Sequence, residues 1–450
     1  MRAIRLILAA TVALIGVAQA EVIEGKTPKG ISYVYERATR GDGVVVYFAW
    51  RYARDAEADD AGLLYYLVPA LTFGAGGESR ETIERRLREL QASFGSYSPM
   101  AGTLGGFATF DRSKTDPMAA LLAQIVQKPE YGAKDLDDRY RKVLLPLRDK
   151  FNKDPLNHLQ FVEFAINLPD FADHVRFLPM TEAGIKPPAR ERLLDWQRQK
   201  LGRNNLLVSV AGNLSEGDAG SFIDRVFGAL PLVEEPARMP EPAYRAIDKV
   251  IKIERDVPQV YARLYGAVES SQDPVKSTAL RMAVEAFGNG KDSTLYRVLR
   301  EELGAAYGTS AGLAVISPRL NLFTATAQID PEKAPTAIDR LREEYRKLAQ
   351  TGLDEAAVSR ELARLTSAAD SPTVQLTART AGNLLLALRG LPADTRSALS
   401  RTYRTIVTEQ VNKAIAEGLP KATTIIVMAP ASVAIRADCT IRSYAEAASC

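Results

Sequence analysis

Histidine and cysteine are nearly missing from this chain: 450 residues contain two of each. The cysteines, Cys439 and Cys450, stand eleven apart with no histidine near them, which excludes a cysteine-based metal module or nucleophile. In an oxidising compartment they are expected to pair, pinning the C-terminus, rather than stay as free thiols. The histidines, His158 and His174, are sixteen apart. A metal site with two histidines forms only if both converge with an acid, so each is read instead as a satisfied surface or interdomain residue.

Charge imbalance is also lacking, with 58 Lys and Arg against 55 Asp and Glu. Nucleic-acid binding needs clustered positive surface, and this balance speaks against it. Long apolar runs are missing beyond the first twenty residues, MRAIRLILAATVALIGVAQA. There, Arg2 and Arg5 precede an apolar stretch ending in Ala18-Gln19-Ala20, the pattern of a signal peptide cut after Ala20. The stretch is shorter than the ~20 residues of a span, so the expected product is periplasmic with no membrane anchor.

What is present is a duplication. FGAGGESRETIERRLRELQASFGSYS from Phe73 parallels FGNGKDSTLYRVLREELGAAYGTSAG from Phe287, 214 positions apart at the phenylalanines and 213 at Phe94 and Tyr307. Each copy reads as a Gly-rich turn, an amphipathic helix, an aromatic-Gly-Ser/Thr step and a Gly-interrupted strand. Ile83, Leu87 and Leu90 mark one apolar helix face, and Leu295, Val298, Leu299 and Leu303 the other. Neither FGAGG nor FGNGK has the spacing of a phosphate-binding loop. Dense β-branched and aromatic residues predict strands over 43–50, 205–212, 260–268, 320–329 and 423–430. The Pro- and Glu-rich LPLVEEPARMPEPAYR reads as a connector. The expected organisation is a signal peptide (1–20), a first domain (21–230), a linker (231–244) and a second domain (245–450). Each domain is expected to be α+β, a mostly antiparallel sheet with helices packed on one side.

The segments GLLYYLVPALTFG, LLVSVAGNLSEGDAGSFIDRVFGALP, DVPQVYARLYGA and above all STLYRVLREELGAAYG resemble the M16 (insulinase/pitrilysin-like) metallopeptidases, in particular their short-chain branch. The resemblance implies a chain forming half of a clam-shell chamber. Active members of that family bind zinc through His-x-x-Glu-His on one helix. In this chain those places hold Tyr65, Val68 and Pro69, none of which replaces the lost ligands. The family's third ligand, a glutamate, falls at about Pro146 or Leu147 and is absent too. A proline within a helix removes a backbone bond, so the helix at Pro69 is expected to be kinked or rebuilt.

In the second domain, Arg300 and Tyr307 match the family's Arg/Tyr pair that reaches across to a facing zinc site. On an ideal helix Arg300 lies about 125° from the apolar centre, and Gly304 is placed to stop the helix. The two polar tips can then meet near the helix end, where they could hydrogen-bond a substrate carbonyl and its oxyanion. The alternative is an arginine favoured by the helix dipole and a half-buried tyrosine. The resemblance also places a peptide-accepting edge strand at GSYSPMAGTLGGFATF, where Pro99 is expected to interrupt the start and remove a donor.

Two functions follow. In the first, the chain is the zinc-less, non-catalytic subunit of a heterodimeric metallopeptidase, inactive alone and binding no cofactor itself. Its partner is then a subunit with His-x-x-Glu-His, which holds the zinc, and the substrate is a peptide or unfolded protein. The second is a non-enzymatic peptide-binding or scaffold protein of the bacterial envelope, as the core proteins of the respiratory bc1 complex resemble inactive members.

Overall fold

A computed structural model describes residues 22–38, 41–52, 58–98, 100, 102–169, 181–235, 241–370 and 376–450. The first sheet contains β1 (Val22–Lys26), β2 (Ser32–Arg37), β3 (Gly43–Arg51), β4 (Ser93–Tyr97), β5 (Thr103–Asp111) and β6 (Leu206–Gly212), in the order β1-β2-β6-β3-β5-β4. The second contains β7 (Val250–Glu254), β8 (Val260–Glu269), β9 (Ala306–Val315), β10 (Leu320–Ile329), β11 (Thr424–Ala429) and β12 (Cys439–Ile441), in the order β12-β7-β11-β8-β10-β9. Five neighbouring positions correspond one to one: β2 with β7, β6 with β11, β3 with β8, β5 with β10, β4 with β9. Each sheet is mixed, with β2 parallel to β6 and β7 parallel to β11, and the strands from there to the β4 or β9 edge antiparallel. The duplication in the sequence is therefore a duplication of an α+β unit. The outer strand breaks the correspondence: β1 runs antiparallel to β2, whereas β12 comes from the C-terminal tail and runs parallel to β7.

The strands missed by sequence pattern, β1, β2, β7 and β12, are short or lie at the outer side of each sheet. Those predicted, β3, β6, β8, β10 and β11, are central or long. β11 is buried at all six positions and β3 at six of nine, so neither alternates, as expected for strands covered on both faces. The covering on one face is each half's own helices. Val44, Val46, Phe48 and Trp50 of β3, for example, pack with Leu121, Ile125, Phe222 and Phe227.

The other face is covered by exchange. The helix Pro155–Asn167 belongs in sequence to the first half, yet its Leu159, Val162 and Ile166 pack on Ile251, Ile253, Tyr265 and Ile426 of the second sheet. The helix Leu376–Leu388 belongs to the second half, yet its Leu384 and Leu388 pack on Ala49, Tyr47 and Leu207 of the first sheet. Both helices are 13 residues long, and each lies on the equivalent strands of the opposite sheet. Helices thus lie on both faces, one side formed within each half and the other donated.

Candidate functional site

Residues 58–73 occupy the place of the predicted site-bearing helix. Ala58–Tyr65 is a 3-10 helix and the chain then continues in turns. Tyr66 donates its N–H to Leu63 O (2.9 Å) and Ala70 to Tyr66 O (2.8 Å), while Leu71 donates to Val68 O (3.2 Å) and Phe73 to Ala70 O (2.9 Å). Three- and four-residue bonds are mixed, so the segment is not a regular α-helix, as expected where Pro69 has no N–H to donate. Val68 points into the core and is fully buried, whereas Tyr65 is half-buried and burial pushes its hydroxyl up to about 12. The phenol is a neutral donor at every physiological pH.

The helix carrying the third position is rebuilt in the same way. After a seven-residue α-helical stretch, Ala133–Arg139, it widens to a π-helical stretch, Tyr140–Leu144, before the α-helix Leu145–Lys153. Pro146 cannot donate to the carbonyl four residues back, and the Leu145 N–H bonds Tyr140 O, five back. Leu147 stands 45 % exposed. Arg139 ties the two rebuilt segments together by donating to Tyr65 O at 2.9 Å. These side chains do not fit zinc: they offer a phenol, an aliphatic group, two pyrrolidine rings and a leucine. Among the described residues no group of three His, Cys, Asp or Glu could hold a metal.

A cleft of about 210 Å³ opens beside this segment. It is lined by Leu64, Tyr65 and Pro69, by Tyr52 and Leu104, and by Ser96, Tyr97 and Ser98 at the strand side. Among the described strands β4 is the edge of its sheet, and the cleft adjoins that edge. Position 99 falls between the end of β4 at Tyr97 and the start of β5 at Thr103. Pro99 itself lies outside the described residues, and the five residues of β4 all keep their N–H.

In the second half, Arg300 sits in a π-helical stretch, Tyr296–Glu302, not an ideal α-helix, with Val298 and Leu299 buried and Arg300 exposed. Gly304 stops the helix at φ +57°, a conformation that suits glycine. Lys333 donates to the carbonyls of Leu303 and Gly304, both at 3.1 Å. Tyr307 is the second residue of β9, at the sheet edge, and is 55 % exposed. The Arg300 guanidinium donates to the backbone carbonyls of Ala306 (3.1 Å) and Tyr307 (2.6 Å) and lies 5.8 Å from the Tyr296 ring. The two residues are brought together, but through the main chain of Tyr307 and not its hydroxyl.

Cys439 and Cys450 form a disulfide, Cα to Cα 5.8 Å, that fastens the tail beside β12. His158 faces Arg255 of the second half (2.9 Å) and packs edge-on to Phe161; burial, then Arg255, lowers its basicity. It is an interdomain residue on the exchanged helix, far from a ligand role. His174 lies outside the described residues, as does the predicted signal peptide. Glu163 is a buried acid with a perturbed carboxyl that sequence reasoning passed over, although a lone Glu in FVEFAI was a visible signal.

Residues 189–365 match the family described as Peptidase M16 inactive domain. A relative from Rickettsia felis, described as an uncharacterized zinc protease, is 21% identical over 301 residues, 66% of this chain and 71% of its own length. Among solved structures, a peptidase M16 inactive domain from Pseudomonas fluorescens superposes with a TM-score of 0.81 at 20% identity, over 92% of this chain and 99% of that one. The periplasmic protease PqqL of Escherichia coli superposes with a TM-score of 0.75 at 14% identity, over 91% of this chain and 45% of PqqL. At these identities the superpositions establish a shared fold.

Proposed function

Since the chain belongs to the M16 peptidase family and lacks the motif that binds the catalytic zinc, we propose that it is the zinc-less subunit of a two-chain metallopeptidase. In this reading residues 21–230 and 245–450 are its two domains, joined by 231–244, and together they close one side of a peptide chamber. A partner with an intact His-x-x-Glu-His holds the zinc and the water it activates. This chain supplies Arg300 and Tyr307 to that site.

The observation that carries the reading is the contrast between the halves. The first has lost every ligand position, while the second presents the Arg/Tyr pair outward at a helix end and an edge strand. Two backbone carbonyls hold the guanidinium in place, and its other N–H groups remain able to donate. Beside it the Tyr307 hydroxyl can donate to the same carbonyl oxygen, and both bonds strengthen as charge develops there. Length supports a second subunit: this chain accounts for 45% of PqqL, leaving room in PqqL for another unit of the same size. The leader-like first twenty residues support export to the periplasm.

The test is cleavage of a quenched unstructured peptide by this chain, by a co-exported relative with His-x-x-Glu-His, and by the mixture with zinc. Cleavage by the mixture alone is expected, and Arg300→Ala or Tyr307→Phe should lower kcat/KM by roughly 10²–10³-fold without preventing association. A second reading, an envelope peptide-binding or scaffold protein, draws on the Arg300 bonds to Ala306 and Tyr307, which serve equally as a strut. Unchanged kinetics in both variants would select it.

A further inference from the structure

We propose that the Cys439–Cys450 disulfide is a redox-sensitive clamp on the joint where the first half's helix, Pro155–Asn167, docks on the second sheet. The inference concerns how the two halves hold together and is independent of the shared-site reading. The tail that carries the bond touches both partners of that joint. Its strand β12 pairs with β7 through Cys439, Thr440 and Ile441. Ile441, and Ala447 of the 3-10 turn Tyr444–Ser449, share one apolar cluster with Leu159, Val162 and Ile166 of the helix, and both cysteines pack against it. Phe161 stands about 200° round the helix from Leu159, at ~100° per residue, and meets the Tyr444 ring edge-on at 6.1 Å. The tail therefore also holds the side of the helix turned away from Leu159.

Without the crosslink this hold is weak. β12 is only three residues long, and the tail's other polar fastenings are single ones. The Val250 N–H donates to the Asp438 carboxylate (2.8 Å) and the Asp438 N–H to Val250 O (2.8 Å), Lys249 donates to Cys450 O (2.6 Å), and Arg442 reaches Glu254 at 3.4 Å. Each of these contributes little by itself. The disulfide closes the loop from the first residue of β12 to the end of the tail, and so removes much of the freedom the tail would gain on leaving.

The two exchanged helices differ in what fastens them. At the joint of Leu376–Leu388, the buried Glu36 is held by Asn383, Arg379 and Arg396. At the joint under the tail the buried acid, Glu163, makes no ion pair among the described residues, and neutral bonds remain, from Tyr265 to Leu159 O (2.7 Å) and from Asn167 to Thr424 (3.1 Å). Only this second joint has the reducible bond. Both cysteines are partly exposed, so a dithiol can attack one sulfur, forming a mixed disulfide and releasing the other cysteine as a thiol. The second thiol of the reagent then displaces the first cysteine. The protein gains two electrons and two protons, and the dithiol becomes a disulfide. With the tail released, the helix loses its contacts with Ile441, Ala447 and Tyr444 and opens more often.

The experiment follows amide hydrogen exchange of the full chain by mass spectrometry, with and without dithiothreitol under native conditions, while a thiol titration counts the cysteines released. Both thiols should appear with the chain still folded. Exchange within 155–167 should then quicken about tenfold or more and slow again on reoxidation, whereas exchange within 376–388 should change by less than about twofold. That second helix is the internal control, because global loosening would move both. The double variant Cys439→Ala, Cys450→Ala should show the quick exchange in 155–167 whether or not the dithiol is present. If that variant does not fold, reduction and reoxidation of the native chain decide by themselves. A bond that resists the dithiol in the folded chain, exchange within 155–167 indifferent to reduction, or equal quickening of both helices overturns the clamp.

Discussion

Glu163 sits in the apolar run Phe161-Val162-Glu163-Phe164 on the exchanged helix, with no exposed surface and neither carboxyl oxygen hydrogen-bonded among the described residues. Burial pushes its carboxyl up to about 8, and the nearby Arg263, which lies over the Tyr265 ring, offsets only part of that. The unfolded chain ionises this group near 4.5. Between those two values the folded chain holds one proton more than the unfolded chain, so the residue takes stability away as pH rises through that window. Glu163→Gln should therefore match the native protein near pH 5 and exceed it at pH 8.5, by an amount on the order of 3 kcal/mol. Urea unfolding at both pH values measures this; a gap independent of pH would show that the carboxyl is not held protonated. Gly105 gives a steric counterpart, since an added Cβ would lie 1.9 Å from the Phe48 carbonyl oxygen. Gly105→Ala should cost about 2–3 kcal/mol by forcing β5 away from β3, which thermal unfolding would detect. That Tyr65, Val68 and Pro69 offer zinc no ligand was legible in the sequence, because Tyr, Val and Pro exclude zinc on chemistry alone. The Arg300 geometry was not, because a spacing of seven shows that two residues are near each other but not which atoms meet.

At the scale of elements, the helix Leu376–Leu388 is fastened to the first sheet by a buried acid. Glu36 of β2, 3% exposed, accepts a hydrogen bond from Asn383 (2.8 Å) and pairs with Arg379 (3.1 Å) and Arg396 (3.8 Å). Glu36→Ala leaves two guanidinium groups and an amide without their shared acceptor. The expected loss is about 2–3 kcal/mol, less than for a fully buried pair because both arginines keep some solvent. Glu36→Gln should recover part of it, measured by the same unfolding; equal losses would mean that charge at this position is immaterial. Strands were read well where both faces are covered, because β3, β8, β10 and β11 carry dense apolar residues whatever their partner. The two π-helical stretches were invisible to periodicity, since a pattern of apolar spacings fits a helix of slightly wider turn almost as well as an α-helix. The proline at 146 was the one local sign.

For the whole molecule, the exchanged helices bind the halves more firmly than the connector does. Cutting the chain within 231–244 should leave both pieces associated on a sizing column, and unfolding should remain a single transition. A fragment ending at 244 lacks Leu384, Leu388 and the partners of Glu36, and should be aggregation-prone unless the other fragment is present. Two separable transitions after nicking would show that the exchange is not what holds the halves. The sequence revealed the duplication but not this arrangement, because an apolar helix face does not record which sheet it covers. The same arrangement bears on ancestry. Two identical short chains, each lending its 13-residue helix to the other, would already form a closed symmetric pair, and a single gene fusion would convert that pair into this molecule. Once joined, the copies no longer had to stay alike, and the two halves now differ at their outer strands, one of which comes from the C-terminal tail.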